Sequence, residues 1–387
     1  MMRARGLILV IAAFLLSGCI GARPGDAMMC PADQNAPSYS ASMASVMLGK
    51  WQNAPGQPRQ HLDILVLSGG GAWGAYGAGF LNGWTKRDTA LGNPRPQFDV
   101  VTGVSTGAII GTFALLGPDY DSMLESAYRG TSSRELFERR SFFTLPFWNS
   151  FNDPEPIEDN LTRALSGDTI AKLAGAFRDR RSLWAGAVNF DTGKFTEFDL
   201  TDLAAELPPD QARTAIVDRL MAASAVPGFF PPRFINGCMY MDGDVRQNLF
   251  VSQIGSVIDA TAGSAKLRDG TSVNIYAIVN GMTETTHRLV GNTLISVGIR
   301  GFELASDQIQ ISSLREIYDY AQARGFHLYW TSADDVVAIQ GKEKTYGRCS
   351  APKGEADQFN SHFTACLFDA AEKKAETDPS PWRTDRP

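Results

Sequence analysis

Short apolar runs that stop at glycine or a polar turn, each followed by a stretch whose apolar residues fall three or four apart, set the rhythm of this chain. Residues 63–68, DILVLS, are a β-branched run ending at glycines, and the next segment spaces Ala75, Ala78, Phe80, Leu81 and Trp84 as a helix does. Residues 98–103, FDVVTG, predict the second strand, and STGAIIGTFALL the helix after it. Further strands are predicted at 183–190, 194–200, 238–241, 274–280, 327–330 and 335–340, the first two joined as a hairpin through Asp191-Thr192-Gly193. Between Leu294 and Tyr320, the residues Ile295, Ile299, Phe302, Ile309, Leu314 and Ile317 mark a long amphipathic helix. Strand and helix in alternation predict βαβ units, hence an α/β fold of three layers, α/β/α, with a mainly parallel central sheet.

The two ends break this rhythm. Arg3 and Arg5 precede an apolar run from Leu7 to Leu16 that is too short to span a bilayer, which takes about 20 residues, and small residues follow it. This is the layout of a secretory signal. Its end, Leu16-Ser17-Gly18-Cys19, resembles the lipobox of bacterial lipoproteins, which implies a signal peptide over 1–19 and lipidation of Cys19. The plainer alternative is an ordinary signal peptide with an incidental cysteine. Ile20 stands where an aspartate would imply retention at the inner membrane, so the resemblance implies an outer-membrane lipoprotein, facing the periplasm. Residues 20–60 carry no apolar period and many Pro, Gly, Ser, Asn and Gln, and are expected to be a flexible tether. The body is expected over 61–345, including a helical extension, and residues 346–387 as a C-terminal segment with a frayed, disordered tail.

Composition narrows the class. With 387 residues, 44% of them hydrophobic and 20% charged, the chain is globular, and a net charge of -6 with scattered basic residues argues against a nucleic-acid partner. Cys30, Cys238, Cys349 and Cys366 can pair in an oxidising periplasm, and Cys349 with Cys366 closes the most local loop.

Chemistry concentrates at two strand-to-helix turns. Gly103-Val104-Ser105-Thr106-Gly107 follows a buried strand and opens a helix, the setting of a nucleophile elbow, but a serine capping that helix fits the same pattern. One βα unit earlier, LSGGGAWGAYGAG offers backbone amides at the same edge of a parallel sheet, able to hold an oxyanion. Gly69, Gly71 and Gly74 also spell a dinucleotide fingerprint, yet the next strand ends in Thr102-Gly103 and not in the acidic residue that would bind a ribose. A serine hydroxyl needs a base. His61 and His327 begin strands and so belong at the far edge, while His287 and His362 have no pattern that places them. Asp242, directly after a short strand and before Gly243, belongs at the right edge, where an aspartate capping its own turn is the alternative.

These turns, together with ASAVPGFFPP at 223–232 and Asp242-Gly243 with Asn248, occur in the order found in patatin-like phospholipases, and the resemblance spans about residues 63–250. It implies a patatin-like serine hydrolase fold with a Ser-Asp dyad, no catalytic histidine, and neither metal nor cofactor. Carried over, Ser105 attacks an acyl carbonyl, Asp242 is its base, and the amides of Gly69, Gly70 and Gly71 form the oxyanion hole. The substrate implied is a phospholipid or lysophospholipid, with the membrane reached through the N-terminal lipid. An acyltransferase using the same dyad, or a lipoprotein that binds lipid or a partner without turnover, are the competing readings. The chain departs from the family at Trp73, commonly basic, and at Asp244, commonly glycine, whose carboxylate is expected to raise the pKa of Asp242 by repulsion. The aromatic stretch at 139–156 is expected to meet lipid, line an acyl tunnel, or pack as a lid.

Overall fold

The computed structural model describes Arg23, Cys30 and residues 61–132, 136–139, 150–251, 272–285, 289–338, 349–350 and 359–387. The main sheet is built from β1 (His61–Leu67), β2 (Val100–Val104), β3 (Ser182–Asn189), β4 (Lys194–Asp199), β5 (Arg233–Ile235), β6 (Cys238–Asp242), β7 (Ser272–Val279) and β8 (His327–Ser332). Their order is β8-β7-β1-β2-β3-β6-β5, with β4 also paired to β3. The strands from β8 to β3 run parallel, and β4, β5 and β6 pair antiparallel. This is the mainly parallel α/β fold that the alternation predicts.

Alternate residues of each strand enter two cores, as the period of two requires. Leu65, Leu67, Val101 and Leu183 meet α1 (Gly74–Lys86), α2 (Thr106–Leu116) and α3 (Pro209–Ala223) on one face. Ile64, Val66, Val100 and Trp184 meet Leu314, Ile317 and Ala321 of α4 (Leu294–Arg324) on the other. The parallel strands carry apolar residues on both faces because helices cover both. Of the strand expected at 335–340, Asp335 ends a 3-10 turn and Val336 caps it, only Val337–Ala338 are strand, outside the main sheet, and 339–340 lie outside the described residues.

The C-terminal tail is not frayed as its charge and prolines suggest. Ser361–Thr377 form α5, which runs so close to α1 that a Cβ on Gly79 or Gly83 would strike the carbonyls of Phe368 or Glu372. Trp382 is buried against Phe80, Trp84 and Tyr276, and Arg383 exchanges backbone hydrogen bonds with Trp330. One large aromatic after the charged stretch outweighs it, since full burial of such a side chain stabilises by roughly 1.5–3 kcal/mol. Both disulfides are formed, Cys349–Cys366 and Cys30–Cys238. The expected tether lies mostly outside the described residues, but Cys30 is bound to β6 and Arg23 pairs with Asp191 at 2.7 Å, so at these two points it is fixed to the domain.

Glu197 on β4 is buried, and its Oε1 has no hydrogen-bond partner among the described residues. Burial alone pushes its pKa from 4.5 to about 8. A raised folded pKa means that the stabilisation is complete below the unfolded value and is lost as pH rises through the folded one. Glu197→Gln is therefore expected to match the parent in thermal stability near pH 4 and to exceed it above pH 8, by on the order of 4 kcal/mol. Thermal melts across that range test this, and parallel curves at all pH values would contradict it.

Candidate active site

The register of β3 explains how two distant residues meet. Residues 182–186 pair with β2, while Ala187, Val188 and Asn189 pair with both β4 and β6. A strand has two edges, so β6 must share one edge with β2. The two then end head to head: Val104 lies opposite Gly186, and Asp242 opposite Ala187. Ser105 and Asp242 are the residues at this junction. Gly243 lets the ends close, since a Cβ there would lie 2.7 Å from the Gly186 carbonyl and 2.8 Å from Val104.

Ser105 sits at the N-cap position of α2, yet its side chain makes no capping hydrogen bond. Its backbone, φ 53° and ψ -130°, is a conformation that costs a non-glycine residue about 1–3 kcal/mol. The capping alternative therefore lacks the bond that would justify it. Gly103 and Gly107 allow the tight turn: a Cβ on Gly107 would lie 2.4 Å from the Ser68 carbonyl, and one on Gly103 would lie 2.3 Å from the Gly107 carbonyl.

The segment 223–225, at the end of α3, holds both partners. The Ala223 carbonyl accepts from the Ser105 amide at 3.0 Å, and the Ala225 carbonyl accepts from the Asp242 amide at 3.0 Å. This clamp explains why ASAVPG accompanies the two turns, a role its sequence does not advertise because backbone carbonyls do the holding. Asp242 is fully buried, and its Oδ1 accepts from the Asp244 amide at 2.9 Å, which is the turn-capping bond expected of such an aspartate. Its Oδ2 has no partner of full hydrogen-bond geometry among the described residues, while the nearby Ser105 hydroxyl favours the charged form through hydrogen bonding. One oxygen caps and the other is left for Ser105.

Burial, more than any charge, holds Asp242 above the ordinary carboxylate range, opposed by the Asp244 amide and Ser105. The expected repulsion falls instead on Asp244, whose pKa is raised well above normal by burial and then by the Asp242 charge, with Asn248 opposing through a 2.7 Å bond. Asp244 is thus the neutral member when Asp242 titrates. A base must be ionised, so activity is expected to fall as pH drops through the raised Asp242 value, well above the pH of about 4 set by an ordinary aspartate. Asp244→Asn, a neutral replacement, leaves this acid limb in place. A pH profile of kcat/KM for both proteins checks it, and a downward move in the variant would show that Asp244 carries the charge.

The glycine-rich turn lies at the same sheet edge. Gly70 has φ 142°, and a Cβ there would lie 1.9 Å from the Asn280 carbonyl, so only glycine fits. The amides of Gly69, Gly70 and Gly71 donate to no partner among the described residues and are free to receive an oxyanion. The amide of Thr106, next after the serine, is equally unpaired in the first turn of α2. It is the donor that sequence reasoning overlooked. Asp244 lies over Gly69 and the Asn280 carbonyl over Gly70, which fills the space a dinucleotide pyrophosphate would need. Trp73 packs edge-on against Phe363 of α5, so this residue anchors the C-terminal helix beside the turn.

His61 and His327 begin β1 and β8 at the opposite edge, as expected, and His362 is exposed on the first turn of α5; His287 lies outside the described residues. The aromatic stretch at 139–156 lies largely outside them too. Asp191 approaches the sulfurs of Cys30 and Cys238, but the disulfide removes these as metal ligands.

Residues 65–253 match the model of the patatin-like phospholipase family, a match that points to chemistry on lipid esters. The crystal structure of VipD from Legionella pneumophila is similar over 81% of this chain and 68% of its own length, at 11% sequence identity and a TM-score of 0.36. A likeness at that level carries no assignment.

Proposed function

We propose that this protein is a serine acyl hydrolase that cleaves carboxylic ester bonds of phospholipids or lysophospholipids through an acyl-enzyme on Ser105. The observation that carries the reading is the strained, non-capping Ser105 set head to head with the half-satisfied carboxylate of Asp242. Ser105 Oγ attacks the acyl carbon as its proton passes to Asp242, and the oxyanion is received by amides of Gly69, Gly70, Gly71 and Thr106. Collapse breaks the ester bond, and Asp242 returns the proton to the leaving alcohol. Water then attacks the acyl-enzyme, giving up its proton to Asp242, and release of the fatty acid restores Ser105. The amino end, lipidated at Cys19 and freed of residues 1–18, fixes the enzyme to the outer membrane.

The test is product analysis with phosphatidylcholine and lysophosphatidylcholine, with and without an added acceptor alcohol. Free fatty acid in both conditions supports hydrolysis. A new ester formed with the acceptor would replace the reading by acyl transfer, and binding without turnover would replace it by a lipid-binding lipoprotein. Loss of metabolic acyl labelling in Cys19→Ser checks the anchor.

A further inference from the structure

The long helix α4 is two different things along its length. From Gln310 onward it is a core helix, with Gln310, Ser313, Leu314, Ile317 and Ala321 buried. Gln310 donates to the Met282 carbonyl at 3.0 Å, and Ser313 Oγ accepts from the Asn248 amide at 3.3 Å. Met282 follows the end of β7, and Asn248 follows Asp242, so this point of the helix is level with the sheet edge that carries Ser105. A helix returning to the start of a parallel strand runs against the strands. Residues 294–309, about 24 Å of helix at about 1.5 Å per residue, therefore stand beyond that edge.

In this projecting half no described side chain is buried. Its exposed positions are Leu294, Val297, Gly298, Gly301, Leu304, Ala305 and, at the end, the uncharged Gln308. At 100° per residue these fall on one stripe, and the stripe contains no charge. Arg300 and Glu303 lie off it and pair with each other at 3.0 Å. Leu294 is 89% exposed, Val297 55%, and Leu289 just before the helix 93%. A helix that turns its apolar stripe outward and its charges away has the pattern of an interfacial helix.

Two further observations select the partner. Phe190 and Phe151, both more than 40% exposed, follow β3 and contact the loop after α3 respectively, and so share the Ser105 edge. The amino end is fastened there as well: Cys238, bound to Cys30, lies beyond Tyr240, the partner of Asn189 at the end of β3, and Asp191, which holds Arg23, follows that same strand end. Between a lipidated Cys19 and Arg23 the backbone spans at most about 14 Å, at about 3.5 Å per residue. The anchor would thus hold this edge, and no other, against the bilayer.

We infer that the Ser105 edge is the membrane-facing surface of the protein, docked on a lipid surface by the apolar stripe of α4. The inference rests on the proposed lipid substrate and anchor, and it deepens them: the enzyme works on the membrane that holds it, without reaching out on a tether. It is tested by placing an environment-sensitive fluorescent amino acid at position 294, or at exposed Leu91 at the opposite edge, in the full chain carrying Ser105→Ala so that vesicles are not consumed. The probe membrane is phosphatidylcholine with brominated acyl chains. Quenching at 294 and none at 91 is expected, with Leu294→Glu plus Val297→Glu weakening vesicle association at least tenfold and Leu91→Glu leaving it as in the parent. Equal quenching at both sites, or none at 294 in vesicle-bound protein, would overturn the inference. So would a concentration-dependent blue shift at 294 without lipid, which would make the stripe an interface between two copies. Because the readout is not hydrolysis, failure of docking and failure of the proposed activity are separable.

Discussion

Asp242→Asn is expected to abolish measurable ester cleavage, with kcat/KM down by roughly 10³–10⁴-fold, while the protein folds as before. The asparagine keeps the oxygen that accepts from the Asp244 amide, so the turn survives. What it removes is the proton acceptor, and a positioned general base is worth about 10²–10⁴ in rate. Ser105→Ala loses at least as much, because the attacking atom itself is gone. Ser105→Gly adds a test that a merely structural serine would fail. At φ 53° glycine relieves backbone strain of about 1–3 kcal/mol, so this variant is expected to be inactive and more stable than the parent. An inactive variant of lowered melting temperature would point to a serine that serves the fold.

Gly107→Ala is expected to cost about 3 kcal/mol or more and to remove activity with it. The new Cβ would lie 2.4 Å from the Ser68 carbonyl and 2.5 Å from that of Leu67, both main chain of β1 and its following turn. Neither can rotate aside, so α2 must lift from the sheet and carry Ser105 with it, and overpacking of this kind typically costs 1–3 kcal/mol even where side chains can adjust. Gly301→Ala is the matched control: it is helical and has nothing within 4 Å of the added carbon, so it gains helix propensity of about 1 kcal/mol. Denaturant melts of the two variants give opposite shifts. Equal shifts would mean that the elbow tolerates a side chain.

Much of the fold was legible because burial on both faces of a parallel sheet writes continuous apolar runs, as at residues 63–67 and 183–188, and each such run proved to be a strand. The elbow and the glycine-rich turn were legible because only glycine fits at Gly70 and Gly107. The head-on meeting of β2 and β6 was not, since the edge on which an antiparallel strand joins leaves no mark in the sequence. The clamp by Ala223 and Ala225 was hidden for a related reason, being made by carbonyls that every residue carries. The C-terminal tail misled because one of its charges, Lys374, is buried in an ion pair with Asp335 at 2.8 Å on a helix that packs on α1, and because one tryptophan near its end decides its order. On α4 the period was read from Ile299, Ile309 and Leu314, while the exposed stripe of Leu294, Val297 and Leu304 ran unnoticed beside it.

The central claim, an activated serine whose base is an aspartate, is tested most directly by labelling the protein with a fluorophosphonate and locating the adduct by mass spectrometry, beside Asp242→Asn. The account predicts a single adduct on Ser105 that is lost in the Asp242 variant. No adduct on folded protein, under conditions that label a known serine hydrolase, would contradict it and leave Ser105 a strained serine without a reaction to perform.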